Sequence, residues 1–490
     1  MTERLEGLYS SDGHQCGCGG DSPSTGTQIA RLAKSGDKDK HTPPEPRPSV
    51  SKKAYRWVYK AGGMTPEMLS DRPIRKMIEE TSSSLSTALD EDIAQELTPE
   101  MRNALEQDVF LFSGFKTYHN LKEASLLLEN KERGGIQTFD EFYRTIRQID
   151  DKYNRDWLRS EYQFAINSAA MASQWEQALK DKDLYALQYV TVGDDRVRPE
   201  HAELDGLVLP MDDPFWRTGT PPNGWGCRCT VMQVPLEENP LTPQEQSDRS
   251  RAASSALNDM TEGKNSIFRF NPYYDQALFP PKHPYFGKKG YRHCSSDRFA
   301  HADGDADPCN IYRKLKETAE ELQALIKQRR KQYKRLKANP DYIDTAFNST
   351  NGGLKSTHKD HSFDKKKGWY EKRAQEIGFQ NGDAVILGAE PQNVFREKKT
   401  EGTWNDLLFE VAGAETGTSV NIRNALKHCA TKPEVEVAVV FFPFPENVSM
   451  SEIEDGVARY NGLKKTSQWK PFKQILFISN DGNIIQKKTE

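Results

Sequence analysis

His201, Cys227 and Cys229 combine an imidazole with a Cys-x-Cys pair. Thiolates and imidazoles are the usual ligands of zinc, and three of them fall one short of a closed tetrahedral site. Asp205 or Asp213 would supply the fourth. Without metal, the same residues read as two small buried fillers and a histidine bonded to a carboxylate. No nucleophile–base pair accompanies them, which argues against an enzymatic loop. His14, Cys16 and Cys18 form another short ligand cluster that lacks a distant second pair. A different chemistry is available near the C-terminus. Glu410 is followed by Asn421, Arg423, Asn424, Lys427 and His428. Arg423 and Lys427 are four apart, so on a helix they share a face and could hold a phosphate. His428 is the natural proton-transfer group near neutral pH. Asp406 and Glu410, also four apart, form a carboxylate pair that could hold Mg²⁺. The alternative is that these charges form an ordinary solvated helix face.

The elements that must carry these residues follow from periodicity. Leu158, Tyr162, Ala165, Ala169 and Ala172 recur at helical spacing, predicting a core-facing stripe. Two β-branched runs, 189–192 and 230–234, predict strands bracketing a long loop rich in proline and glycine. Trp216 and Trp225 beside prolines would stiffen that loop. Residues 311–339 carry ten Lys and Arg against three Glu, a basic helix with an apolar stripe at Leu322, Ile326, Tyr333 and Leu336. It serves either as a solvated connector or as a contact for an acidic surface. Further on, 383–387, 407–411 and the run EVAVVFF predict strands, helices fall around 422–429 and 451–460, and QILFIS with NIIQK predicts a closing hairpin.

Composition bounds the rest. A chain of 490 residues predicts two to four domains. No apolar run of about eighteen residues exists, which rules out a membrane-spanning helix, and the N-terminal residues show no secretory signal. A net charge of −4 excludes a chain-wide polycation. Seven cysteines do not read as a disulfide framework, so cytosolic assembly is expected. His293, Cys294, His301 and Cys309 are sparse.

The blocks Arg198-Pro199-Glu200-His201, Leu204-Asp205-Gly206, Asp212-Asp213-Pro214-Phe215-Trp216 and Pro221-Pro222-Asn223-Gly224-Trp225-Gly226-Cys227-Arg228-Cys229 closely resemble the phage Mu protein F-like head morphogenesis family. The resemblance covers roughly 55–235. It implies a minor head protein of a tailed phage or prophage, placed in the virion beside the portal, with portal and capsid proteins as partners.

Residues 358–488 resemble the tRNase toxin domains of CdiA-type contact-dependent inhibition proteins, akin to the barnase/EndoU/colicin/RelE ribonucleases. The blocks are Phe363-Asp364-Lys365, Trp369-Tyr370-Glu371-Lys372, Phe409-Glu410-Val411 and Ala425-Leu426-Lys427-His428. That resemblance implies cleavage of RNA, with tRNA as substrate and a cognate immunity protein as partner; Glu410, Arg423, Lys427 and His428 are the candidate catalytic groups, joined by Asp406 in a metal-dependent reading. Lys365, Lys366, Lys464 and Lys470 would bind RNA. No cofactor is required for that reaction. The order α, strands, α, strand, α also suits the Mg²⁺-dependent PD-(D/E)xK nucleases, but their expected lysine is Ala412 here. A disarmed, purely structural domain therefore stands as the alternative. A self-processing or metalloprotease role for the His201 loop is a third reading.

The resulting expectation is a multidomain α+β protein. It comprises a disordered arm (1–50), a largely helical Mu F-like domain with a small β element (51–235), an irregular extension (236–310) and a basic helical connector (311–340). A flexible linker (341–358) and an RNase-like α+β domain with an antiparallel sheet (359–490) follow. The virion, and the bacterial cytoplasm during assembly or after delivery, are the expected locations.

Overall fold

The computed structural model describes residues 6, 8–9, 43–44, 46–90, 96–129, 134–242, 264–287, 290–295, 307–363, 368–389 and 400–487. His14, Cys16, Cys18, His301, Lys365 and Lys366 lie outside them. The chain divides into two compact units, Met1–Ala319 and Glu320–Glu490. About half of it is helical, with a helical N-terminal region and a mixed sheet in the second unit. No helix among the described residues is long and apolar enough to cross a membrane.

The first unit is built on helices α1 (Pro48–Ala61), α2 (Arg72–Ser86), α3 (Pro99–Ser125), α4 (Phe139–Asp151) and α5 (Trp157–Ala178). Thr98 caps α3, and Thr138 with Glu141 forms a capping box on α4, satisfying amide donors that a helix start leaves open. The stripe Leu158, Tyr162, Ala165, Ala169 and Ala172 is buried in the main core, as its spacing predicts. On another side of α5, Met171, Trp175 and Ala178 enter a second core. That core is closed by a three-stranded sheet, β1 (Tyr185–Val190), β2 (Val208–Leu209) and β3 (Thr230–Pro235), in the order β2-β1-β3. Both pairs are antiparallel, with Leu187 opposite Gln233.

Two segments expected to lie loosely are packed. Tyr9, from the expected disordered arm, stacks on Trp157 (4.4 Å) and Trp225 (5.1 Å) and donates to Glu161 at 2.7 Å. From the irregular extension, Phe279 stacks on Phe112 at 3.7 Å, and the Leu278 and Phe279 amides donate to Asp108 at 2.9 and 3.1 Å. Their aromatic side chains fill space between helices without needing regular backbone. Cys294 and Cys309 are joined by a disulfide, where the cysteine count led us to expect none.

The second unit includes the C-terminal part of α6 (Pro308–Ala338), which matches the expected basic helix. An eight-stranded sheet follows: β4 (Tyr342–Phe347), β5 (Leu354–His358), β6 (Ala384–Leu387), β7 (Gly402–Trp404), β8 (Leu407–Gly413), β9 (Val437–Phe442), β10 (Gln474–Ser479) and β11 (Ile484–Lys487). Strand order runs in reverse from β11 to β4. The expected flexible linker is thus a hairpin, β4–β5. Two of its small polar residues pair within the sheet: Thr345 and Ser356 bond each other at 2.7 Å across the strands. The antiparallel sheet expected here is mixed. Pairs β5–β6, β8–β9 and β9–β10 are parallel, because α7 (Gly368–Gln380), α8 (Ser419–Ala430) and α9 (Met450–Asn461) each return the chain to start a strand in the same sense. Along β9, Val437, Val439 and Phe441 face α7, and Ala438, Val440 and Phe442 face α8 and α9. Burial on both faces explains the unbroken apolar run of β9.

Candidate functional site

In the first unit, the β1–β3 loop brings three predicted ligands together. His201 sits on the short helix Pro199–Ala202, while Cys227 and Cys229 lead into β3. His201 Nδ1 lies 3.7 Å from Cys227 Sγ and 3.5 Å from Cys229 Sγ, and all three residues are buried. For zinc at 2.3 Å from sulfur and about 2.05 Å from nitrogen, a tetrahedral angle separates the two ligand atoms by about 3.6 Å. The observed spacing has that size, and the soft S₂N donor set suits the ion. The neighbouring thiol lowers the pKa of Cys227, and Cys227 in turn raises that of Cys229.

The fourth ligands expected from sequence are elsewhere. Asp205 accepts from the Thr191 amide at 2.7 Å, and Asp213 accepts from the Phe215 amide at 2.8 Å. The two tryptophans pack in different places. Trp216 is buried against Trp175 in the second core, its indole donating to the Pro210 carbonyl at 2.9 Å. Trp225 packs in the main core beside Phe164, Phe268 and Tyr9. The loop is therefore pinned to both cores. Arg198 fastens it further by donating to the Trp225 carbonyl at 2.8 Å. Gly224 next to it has φ +152°, and a side chain there would meet the Arg198 guanidinium. Arg228 grips Asp194 through two bonds of 2.7 and 2.6 Å, which holds the Asp194 carboxyl down at about 2.

Residues 127–232 match the family model described as Phage Mu protein F like protein. The matched segment contains α5, β1, β2, the start of β3 and the His201–Cys227–Cys229 cluster. Over 78 residues the chain is 47% identical to the putative capsid assembly protein F of Escherichia phage Mu, and over 77 residues 43% identical to the Mu-like prophage FluMu F protein of Haemophilus influenzae. Each alignment covers 16% of this chain and 18% of the relative's length. An uncharacterized protein of Methanocaldococcus jannaschii is 49% identical over 47 residues, covering 9% of this chain and 7% of that protein. No solved structure matches.

In the second unit, the sequence-predicted residues separate into two groups. Glu410, on β8, is buried facing α8; its carboxylate accepts from Lys432 Nζ at 2.6 Å and lies 3.4 Å from His428 Nε2. His428 and Lys427 line a cavity of about 400 Å³ with Asn424, Thr431, Ser467 and Gln468. Asn424, Lys427, His428 and Thr431 lie at intervals of three, one and three on α8, one helix face. This arrangement offers an imidazole backed by a buried carboxylate, beside an ammonium and amides able to hold an anion. Lys432 was missed; its position four residues after His428 was the available signal.

Other predicted residues have different partners. Arg423 bonds Asn424 at 3.0 Å and does not line the cavity. Asp406 sits in the β7–β8 turn, paired with Arg329 at 3.7 Å and Gln332 at 3.2 Å. Four residues along an extended strand span about 13 Å, so Asp406 and Glu410 do not form the carboxylate pair that Mg²⁺ would need. Ala412 is buried in the apolar cluster of α8 and α9. Lys470 donates to the Pro433 and Lys432 carbonyls at 2.7 and 3.4 Å, tying down a loop, and Lys464 lies over the Trp469 ring.

Proposed function

We propose that this protein is a minor head protein of a phage or prophage, engaged with portal and capsid proteins, whose residues 359–490 act as a ribonuclease. The observation carrying the first half is the 127–232 match, which spans the pinned loop; the two phage relatives are named a putative capsid assembly protein F and a Mu-like prophage FluMu F protein. Zinc held by His201, Cys227 and Cys229 would cross-link that loop, its fourth position open to water. Co-purification of the full chain with portal or capsid protein from an induced lysogen tests this half. Its absence from purified heads would refute it.

The second half rests on the Glu410–His428 pair beside the cavity. His428 takes the ribose 2′-OH proton, the 2′ oxygen attacks phosphorus, and the 5′ oxygen leaves with a proton returned to it. Glu410 steadies the imidazolium, Lys427 holds the phosphate and Lys432 holds the Glu410 carboxylate in place. No metal is needed. Transfer RNA is the proposed substrate, and an immunity protein covering the cavity the proposed partner. Full-length protein should cleave tRNA in EDTA and lose about a hundredfold or more in rate on His428→Ala. Intact tRNA after prolonged incubation would leave the second reading, a domain without catalysis. Buried Ala412 at the expected lysine position favours that reading.

A further inference from the structure

We propose that His361, Glu371 and Glu401 form a divalent-cation site. None of the three is used in the reading above, and the site stands whether or not RNA is cleaved. The residues come from separate places: His361 follows β5, Glu371 lies in the first turn of α7, and Glu401 leads into β7. Their ligand atoms all lie within 4.8 Å of one another.

The orientation of the imidazole carries the argument. His361 Nδ1 is 2.8 Å from the Gly388 carbonyl. A carbonyl only accepts, so Nδ1 bears the proton, and the lone pair of the neutral ring sits on Nε2. Nε2 faces Glu371 Oε2 at 3.1 Å and Glu401 Oε2 at 3.9 Å. A histidine that donates one nitrogen to a backbone carbonyl and aims the other at carboxylates has the outer-shell support typical of metal-bound histidine. Phe363 fixes the ring further, edge-on at 4.6 Å.

The His361 side chain is wholly buried and Glu401 nearly so. Ligands about 2.1 Å from a metal lie roughly 3.0 Å apart at octahedral angles and 3.4 Å at tetrahedral ones. The His361–Glu371 distance fits, and Glu401 closes in with a small side-chain rotation. Glu371 is the most exposed of the three and gives the ion its way in. One nitrogen and two carboxylates make a harder donor set than the cysteine cluster, suited to Mn²⁺.

Manganese titration of EDTA-stripped full-length protein tests the site, because Mn²⁺ is poorly matched to thiolates. The expected result is one bound ion whose electron spin echo shows ¹⁴N modulation from a single imidazole. Glu371→Gln and Glu401→Gln should each weaken binding at least about tenfold with an unchanged circular dichroism spectrum. Should a variant misfold, the wild-type nitrogen signal still decides. No binding at millimolar Mn²⁺, binding without imidazole coupling, or binding indifferent to both folded variants would overturn the proposal.

Discussion

Replacing Glu161 by Gln should destabilise the first unit, and the cost should depend on pH in a calculable way. Lys116 on α3 is paired with Glu161 on α5, and both side chains are almost completely excluded from solvent. Burial pulls the Lys116 pKa down, and the Glu161 charge partly offsets this. Without the carboxylate, Lys116 has no compensating charge and becomes a neutral amine in the folded state. The unfolded chain still binds that proton up to about pH 10.4. At pH 7, roughly 3.4 pH units below, neutralisation costs at most about 4.6 kcal/mol, in the range measured for breaking buried pairs. The unfolded state of the variant binds the extra proton, so its stability rises with pH. The difference from wild type should shrink by about 1.4 kcal/mol per pH unit above 7, for as long as Lys116 stays charged in the folded wild type. Urea unfolding of full-length protein at pH 7, 8 and 9, followed by tryptophan fluorescence, measures this. A cost below about 1 kcal/mol, or one indifferent to pH, would mean Lys116 finds other solvation and would refute the reasoning.

Further expectations concern the loop, its ion pair and the sheet. Cys227→Ser and Cys229→Ser should each abolish stoichiometric zinc, read by mass spectrometry of metal-reconstituted protein, while Asp205→Asn should retain it. Asp194 has a folded pKa near 2, below its unfolded value. Its contribution is therefore complete above about pH 4 and lost as pH falls toward 2, so Asp194→Asn should lower the melting temperature at pH 6 far more than at pH 2.5. In Gly402→Ala the new Cβ would lie 2.0 Å from the Ile386 carbonyl oxygen, at φ +151°. A loss of a few kcal/mol is expected, seen as a lower melting temperature.

Legibility tracked how local each signal was. The α5 stripe and the β10–β11 hairpin could be read because spacing and turn chemistry are local. His201, Cys227 and Cys229 were legible as candidate ligands by residue type, and the loop leading into β3 brings them together. The fourth-ligand reading went astray because Asp205 and Asp213 serve backbone amides, a use residue type does not distinguish from coordination. Residues 341–358 resembled a linker because serine, threonine and glycine suit both solvated chain and a small-residue hairpin; only the neighbouring strand β6 decides between them. Asp406 looked like a partner for Glu410 at helix-like spacing, but Asn405 and Asp406 take positive φ in a tight turn, and the spacing becomes separation along a strand. His361, Glu371 and Glu401 meet only through tertiary structure.

Tyr9 has a practical consequence for anyone preparing this protein. Its phenol occupies a slot walled by Trp157 and Trp225 and floored by Glu161. Trimming the leading residues as a dispensable tail would bare two indole faces and strip a hydrogen bond from a carboxylate deep in the helices. Affinity tags are better placed at the opposite terminus, and a shortened preparation that clumps would be reporting an emptied socket rather than a faulty fold.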